Sequence, residues 1–253
     1  MSRKTFLTLG VVFGFLALML MPAMAFASSA QAASTNTSTT KASYAFAALI
    51  TAGEHNGLPI TGGLTLHINN AGNFSGSFHA PDSPAVAVNG QVTGSQITLS
   101  FHDADSDRVI KATGTADSSG YYSGTFNVFV SDGQTAVASG TWTGLPVANP
   151  DSVFAFALHS FITQGPDKGT VFSAAVVVDK STLTGTFSGP TNGDLANVVV
   201  VFKNGTRKIV ASYDNGLFID TGHLVEDQSG YVGTLTVTGT TDKGHWAGFF
   251  FTF

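Results

Sequence analysis

A run of alternating aspartates is the most suggestive local motif in this chain. The stretch HDADSD (102–107) places Asp103, Asp105 and Asp107 at every second position. Carboxylates at the first, third and fifth positions begin the calcium loop of an EF-hand, which also needs a glycine at its sixth position and a glutamate at its twelfth. Arg108 and Gly114 stand at those two positions here. The motif therefore predicts either a calcium site at the three aspartates or a solvated acidic hairpin tip, and no other cofactor is indicated.

Two tryptophans are the candidates for binding an apolar ligand. Trp142 and Trp246 are the only tryptophans in the chain, and each lies near the end of one of two similar halves. Large aromatic side chains commonly line small-molecule pockets. Their matched positions predict that Trp142 and Trp246 form the walls of a ligand pocket, one in each half.

Signatures of the common hydrolases are missing from the sequence. It contains no G-x-S-x-G, H-E-x-x-H or P-loop motif. Cysteine is absent, which excludes a thiol nucleophile, and the only glutamates are Glu54 and Glu226. His67, His79 and His102 share the polar face of their predicted strands, a pattern that fits ordinary surface histidines as well as a zinc site. The chain is predicted not to be an enzyme, with a secreted hydrolase as the least favoured alternative.

The N-terminal segment predicts export. Arg3 and Lys4 precede a long apolar run, and two A-x-A cleavage sites end at Ala27 and Ala32. This is the layout of a secretory signal peptide, which we assign to residues 1–32. The apolar run is also long enough to span a bilayer, so an uncleaved membrane anchor is the alternative. The small polar residues 33–43 predict a flexible Ser/Thr-rich linker.

The charge of the chain narrows its range of partners. Its 253 residues include 11 basic and 16 acidic side chains, a net charge of −5 at pH 7. Removing the leader takes away Arg3 and Lys4 and no acidic residue, which brings the net charge near −7. With so few cations, the sequence predicts neither nucleic-acid binding nor electrostatic attraction to an anionic membrane.

The chain contains two copies of one unit. FSGSF (74–78) matches LTGTF (183–187), and residues 111–126 match residues 220–235, with Gly124 over Gly233. FAALIT (46–51) matches FALHSF (156–161) in the same order and at nearly the same offset. A repeated offset over several stretches indicates a tandem duplication. We assign the first repeat to residues 44–147 and the second to residues 152–253.

Within each repeat, apolar and polar residues alternate. Leu99 and Phe101 alternate with Ser100 and His102, which is typical of a strand with one buried face. Turn dipeptides such as Asn-Gly and Ser-Gly separate the runs, as tight hairpins require. The fold class predicted is all-β, with about eight antiparallel strands in each repeat. These strands form either a small up-and-down barrel or a sandwich.

These features together predict an exported, non-catalytic binding or surface-interaction protein. A small lipophilic ligand inside each barrel and a cell-surface partner are the two kinds of partner expected. The first alternative is an outer-membrane β-barrel or pore, because the chain ends with Phe249, Phe251 and Phe253 at alternate positions, like the closing strand of that class. The predicted location is secreted or at the cell surface, and it is membrane-bound only under one of the two membrane alternatives.

Overall fold

The computed structural model describes residues 38–103, 107–130, 133–190 and 195–253, most of which lie in β-strands. In this part of the chain, sixteen strands form two closed antiparallel barrels, in which each strand pairs with its neighbours in the sequence and the last pairs with the first. The prediction of two all-β units of about eight strands is confirmed. Closure makes them up-and-down barrels, not sandwiches. The described residues include no helix with the length and apolar character needed to cross a membrane.

Short strands joined by tight turns make up both barrels. The first barrel consists of β1 (Thr40–Gly53), β2 (Pro59–Ile68), β3 (Asn73–His79), β4 (Val86–Thr93), β5 (Gln96–Asp103), β6 (Arg108–Ala116), β7 (Tyr122–Val130) and β8 (Ala136–Pro146). The second consists of β9 (Val153–Gln164), β10 (Val171–Asp179), β11 (Thr184–Ser188), β12 (Leu195–Lys203), β13 (Lys208–Tyr213), β14 (Phe218–Leu224), β15 (Gly230–Val237) and β16 (Lys243–Phe250). A 3-10 turn, Pro150–Ser152, leads from one barrel to the other.

The first barrel begins earlier than the repeat pattern suggested. β1 starts at Thr40, and its first residues, Thr40 to Ser43, pair with the end of β2 at Thr65 to Ile68. The last four residues of the predicted linker therefore belong to a strand. Small polar residues occupy an edge of the barrel here because β2 supplies their backbone hydrogen-bond partners. The predicted signal peptide lies outside the described residues.

Apolar side chains at alternate positions of the strands fill the interior of each barrel. In β5, Ile97, Leu99 and Phe101 are buried, whereas Thr98 between them is exposed. Successive side chains of a strand point to opposite faces, so the apolar residues of eight strands meet inside one barrel. One cluster of buried apolar side chains occupies the first barrel and another occupies the second.

The glycines that recur at matching positions of the two barrels have a steric cause. Gly114 and Gly124 are partners across β6 and β7, and Gly222 and Gly233 are partners across β14 and β15. A Cβ atom on Gly114 would lie 2.5 Å from the ring of Trp142, and one on Gly222 would lie at the same distance from the ring of Trp246. A Cβ on Gly124 would collide with the carbonyl oxygen of Thr113. Glycine is needed where a tightly curved sheet brings backbone and a large ring together.

Strand pairing corrects the alignment of the two copies by one residue. The sequence match of 111–126 with 220–235 places Lys111 over Asp220. In the structure Gly114 corresponds to Gly222, because each lies under its barrel's tryptophan, and Ala112 therefore corresponds to Asp220. The paired glycines are 11 positions apart in the second barrel (222 and 233) and 10 in the first (114 and 124), and this extra residue hides the shift. A one-residue slip in a strand exchanges its inward and outward faces.

The two barrels touch through small side chains. Ala45 and Ala47 point outward from β1 and pack with Ala155, Ala157 and Ala175 of the second barrel. Alanine allows two sheets to approach closely because its side chain is one methyl group. Next to this contact, the fully buried Ser188 hydroxyl lies within hydrogen-bond distance of the Thr143 hydroxyl, at 2.9 Å, and of the Tyr121 hydroxyl, at 3.3 Å.

Candidate functional site

Both tryptophans lie inside their barrels. Trp142 is 1% exposed and Trp246 is 3% exposed. Their indole N–H groups donate to the Thr113 and Thr221 carbonyl oxygens, at 3.0 and 3.3 Å. The Trp142 ring is stacked on Phe46, with centroids 5.4 Å apart. Each ring occupies the space that a ligand at the centre of the barrel would need, and the predicted role of both tryptophans as pocket walls stays a prediction.

One end of the second barrel encloses a small apolar cavity. Its volume is about 10 Å³, which is room for roughly one water molecule. Aromatic side chains line it: Phe154, Phe156, Phe202, Tyr231 and Phe250. Several of these rings are only partly buried, so this end is a place where an apolar molecule could enter by displacing side chains.

The three predicted calcium ligands are placed only in part. Asp103 ends β5 and Asp107 is an exposed residue in the turn that follows, with φ at 52°. Asp105 lies outside the described residues. Across the hairpin, Arg108 pairs with Asp103 in register and forms an ion pair with Glu54 at 3.1 Å. The calcium site stays a prediction. Within the described ranges, no three histidine or acidic side chains are grouped to hold a metal ion.

The outward sides of β4 to β7 carry many hydroxyl and amide groups. We call eleven polar outward side chains of these strands the polar face; beyond it, at one end of the same strands, His102 lies in a row with the apolar outward residues Ala87, Val109 and Phe129. The members of the polar face are Asn89, Gln91, Gln96, Thr98, Ser100, Lys111, Thr113, Thr115, Ser123, Thr125 and Asn127. All except the half-buried Ser100 are exposed, and Lys111 carries the one charge in this set.

Strand register aligns the hydroxyls of the polar face into rows. Thr98 is paired with Thr113, Thr113 with Thr125, and Thr125 with Thr141 of β8. We call Thr98, Thr113, Thr125 and Thr141 the threonine row. Neighbouring strands lie about 4.8 Å apart and alternate residues of one strand about 6.7 Å apart, so the rows form a regular grid. Gln91 extends the row on one side, and at the other end Thr141 donates to the Pro190 carbonyl oxygen of the second barrel at 2.7 Å.

A shallow depression crosses the middle of this grid. It has a volume of about 310 Å³ and is lined by residues of β5, β6 and β7, including Thr113, Thr115, Ser123 and Thr125. Within the described part of the chain, the hydroxyls of these four residues form no hydrogen bond with the protein; Thr98 makes a long one, 3.5 Å, to the Gln91 carbonyl oxygen. Their donors and acceptors are therefore available to a partner.

The same surface of the second barrel is chemically different. The matching row runs Val201, Val210, Thr221, Thr234 and His245. Val199 and Val201 are 48% and 49% exposed, at the positions of Asn89 and Gln91 in the first barrel. The two copies thus share an inward pattern but have diverged outside, and the hydroxyl grid belongs to the first barrel.

The interior of the second barrel holds an acid that the first barrel lacks. Asp220 is 1% exposed, and neither of its oxygens nor the hydroxyl of nearby Tyr213 has a hydrogen-bond partner among the described residues. Burial raises the pKa of Asp220 to about 8, although the Tyr213 hydroxyl has an opposing effect. Burial also raises the pKa of Tyr213 well above its usual value, and Asp220 adds to that effect. Asp220 is therefore mostly protonated at neutral pH. In the first barrel, Ala112 occupies the position of Asp220 and Phe101 that of Tyr213.

Two features of interest were not predicted from the sequence. The threonine row was not anticipated, although TGT (113–115) and TWT (141–143) repeat a Thr-x-Thr pattern that marks an outward hydroxyl face. Asp220 was not singled out because the sequence alignment put it opposite the outward Lys111. Only the strand register places it inside the barrel.

Comparison with known proteins gives a distant likeness to a solved structure. No protein-family model matches the chain, and no curated protein matches it significantly. Among solved structures, the chain is similar to a Bacteroides fragilis protein whose name assigns it provisionally to the outer membrane, with 12% sequence identity and a TM-score of 0.30. The match covers 84% of this chain and 97% of that one. At this TM-score the likeness carries no argument about function.

Proposed function

We propose that this chain is an exported, non-catalytic binding protein that acts through the polar face of its first barrel. The observation that carries the proposal is the threonine row, of which Thr98, Thr113 and Thr125 are exposed and line a depression of about 310 Å³. Several weak polar contacts presented at fixed spacings can act together on an extended partner. Export rests on the N-terminal segment, and the lack of catalytic motifs favours binding over turnover.

Packing inside the barrels favours the outer surface as the place of binding. Phe46, Phe126 and Trp142 occupy the centre of the first barrel. Interiors of eight-stranded barrels are just wide enough to be filled by side chains or to hold one small ligand. The first barrel uses its interior in the former way, so its outside is the surface open to a partner.

A second candidate function is specific to the second barrel. The cavity lined by Phe154, Phe202, Tyr231 and Phe250 supports capture of a small lipophilic molecule at that end. The molecule would have to displace these side chains, because about 10 Å³ admits only a water-sized group. Native mass spectrometry of the protein recovered without detergent from the medium of its host tests this function. A discrete added mass supports it, and an unliganded mass counts against it.

The polar face also favours a barrel that does not cross a membrane. A transmembrane barrel presents an outward apolar band to lipid and a polar lumen, whereas the first barrel has polar residues outside and apolar residues inside. Phe251, part of the predicted closing strand in that alternative, is 7% exposed and lies with Phe253 in the apolar cluster between the two barrels. Recovery of the protein from the membrane fraction alone would contradict this proposal.

Binding of the exported chain to envelope material of its own host tests the proposed function. The mature protein is mixed with insoluble envelope material, and the bound fraction is measured by sedimentation. We expect Thr113→Val with Thr125→Val to lower binding, because valine keeps the shape and strand propensity of threonine but removes the hydroxyl. The matched control is Thr221→Val with Thr234→Val at the corresponding exposed positions of the second barrel. Equal binding by both double variants would refute a role for the polar face.

A further inference from the structure

We propose that the polar face binds a neutral polysaccharide, with the threonine row as the line of contact. This inference rests on the proposed function and specifies its partner. It starts from the chemistry of the grid: hydroxyl and amide groups both donate and accept hydrogen bonds. A polymer that displays a hydroxyl group on nearly every carbon offers the same two roles in return.

Charge is the first feature that selects an uncharged partner. Lys111 is the one charged side chain on the polar face, and the chain as a whole is acidic. A partner with many anionic groups would be repelled by the net charge and would find one cation to bind. The threonine row itself has no charge, so it matches a polymer that is also uncharged.

Side-chain type is the second feature, and it argues against a protein partner. Stable protein interfaces depend on a few buried anchors, mostly Trp, Tyr and Arg. The outward positions of β4 to β7 that form the polar face include none of these three residue types. Threonine side chains are short, so the threonine row is an even line along which a flat polymer chain can lie.

Availability of the hydroxyls is the third feature. Thr113, Thr115, Ser123 and Thr125 surround the depression and form no hydrogen bond with the described protein. They need not break an existing contact to bind. The depression also includes Thr98, and the grid continues beyond it to Gln91 on one side and Thr141 on the other. A sugar unit in the depression would thus have neighbours in contact with adjoining strands.

Affinity gel electrophoresis tests this inference with defined polymers. The full mature chain is run through native gels containing dextran, soluble starch or hydroxyethyl cellulose, which are neutral, and through gels containing alginate, which is anionic. We expect retardation by at least one neutral polymer and none by alginate. The double variant Thr113→Val and Thr125→Val should weaken that retardation on the order of tenfold, since two neutral hydrogen bonds are lost. The control double variant Thr221→Val and Thr234→Val should behave as the unmodified chain does.

The outcomes separate the inference from the function on which it rests. If envelope binding depends on Thr113 and Thr125 but the neutral polymers cause no retardation, the polar face is a binding surface and the polysaccharide assignment is wrong. Retardation that is strongest in alginate, or that both double variants retain equally, also overturns the assignment. Loss of secondary structure in the test variant is checked by circular dichroism. If that occurs, Thr113→Ser with Thr125→Ser provides the second test, since it keeps the hydroxyls and should keep the retardation.

Discussion

At the scale of single residues, Asp220 stands out because it breaks the pattern of the core around it. Its neighbours on the flanking strands are Ala211 and Leu235, which offer no polar side chain. The first barrel folds with Ala112 at the same place, so the fold itself does not require an acid there. Burying a carboxyl group without a partner costs several kcal/mol when it is charged, which is why it holds its proton to a higher pH.

The stability of the second barrel should fall as pH rises because of Asp220. The folded pKa of about 8 exceeds the usual value of 3.8, so the unfolded chain loses the proton first. The contribution of Asp220 to the free energy of unfolding is therefore fully present below about pH 4. It is lost progressively up to about pH 8, by about 1.4 kcal/mol per pH unit. Urea unfolding followed by Trp246 fluorescence, in a Trp142→Phe background, measures this. Asp220→Asn should remove this loss of stability with rising pH.

A second buried group, His159, also makes stability depend on pH, so the comparison with Asp220→Asn is necessary. Burial lowers the pKa of His159 to about 4 from a usual 6.5, so His159 favours folding more as pH rises through that interval. Its effect opposes that of Asp220 between about pH 4 and 6.5. The difference between the parent chain and Asp220→Asn cancels the contribution of His159. A pH-independent difference would show that Asp220 is ionised in the folded state.

Glycine under each tryptophan gives a second test at this scale. Gly114→Ala would place a methyl group 2.5 Å from the Trp142 ring, so the ring or the strand must move. We expect a loss of about 1–3 kcal/mol in the free energy of unfolding, as for other overpacked cores. In a Trp142→Leu background, Gly114→Ala should lower the free energy of unfolding by less than it does in the parent chain. Additive losses in this cycle would contradict a direct steric contact.

At the scale of single strands, β12 shows how one sequence can have two chemically similar faces. Val198 and Val200 are 1% and 3% exposed, whereas Val199 and Val201 are about half exposed. Nothing in the run of four valines tells the faces apart. Pairing with β11 and β13 decides which valines meet the core.

Substitutions in β12 should separate these faces by their energetic cost. Val199→Asn with Val201→Gln copies the residues found at the matching positions of β4 and should change the free energy of unfolding by about 0.5 kcal/mol or less. Val198→Asn should cost about 3 kcal/mol or more, because it buries an amide without a partner and leaves a cavity. Chemical denaturation of each variant measures both values. Similar costs for the two faces would mean that the register of β12 is wrong.

At the scale of the whole molecule, the contact between barrels links two units that have diverged. Their interiors keep the same glycine–tryptophan arrangement. Their outer surfaces differ, with hydroxyl groups on the first barrel and exposed valines on the second. The alanine contact and the Ser188 hydrogen bonds join the two barrels. The threonine row ends at this junction, where Thr141 donates to the second barrel.

Enlarging an alanine at this junction should uncouple the barrels. Ala47 is fully buried, and Ala47→Leu adds three carbon atoms to a closely packed contact, a change that costs about 1–3 kcal/mol elsewhere. We expect calorimetry to show wider separation of two unfolding transitions and limited proteolysis to cleave faster between residues 147 and 152. Ala87→Leu, on an exposed position of β4, is the matched control and should change neither result. Unaltered coupling in Ala47→Leu would argue against the contact.

Local pattern in the sequence was sufficient to determine the duplication, the all-β class and about eight strands in each repeat, since alternation and turn dipeptides depend on neighbouring residues. Tertiary structure alone decided barrel closure, because the pairing of β1 with β8 joins residues nearly a hundred positions apart. Tertiary structure also decided which side chains point into the barrel and which residues are neighbours on adjacent strands. The one-residue shift that puts Asp220 in the core, and the alignment of Thr98, Thr113 and Thr125 across three strands, are consequences of register. Register is set by packing over the whole barrel, and a slip of one residue exchanges the two faces of a strand.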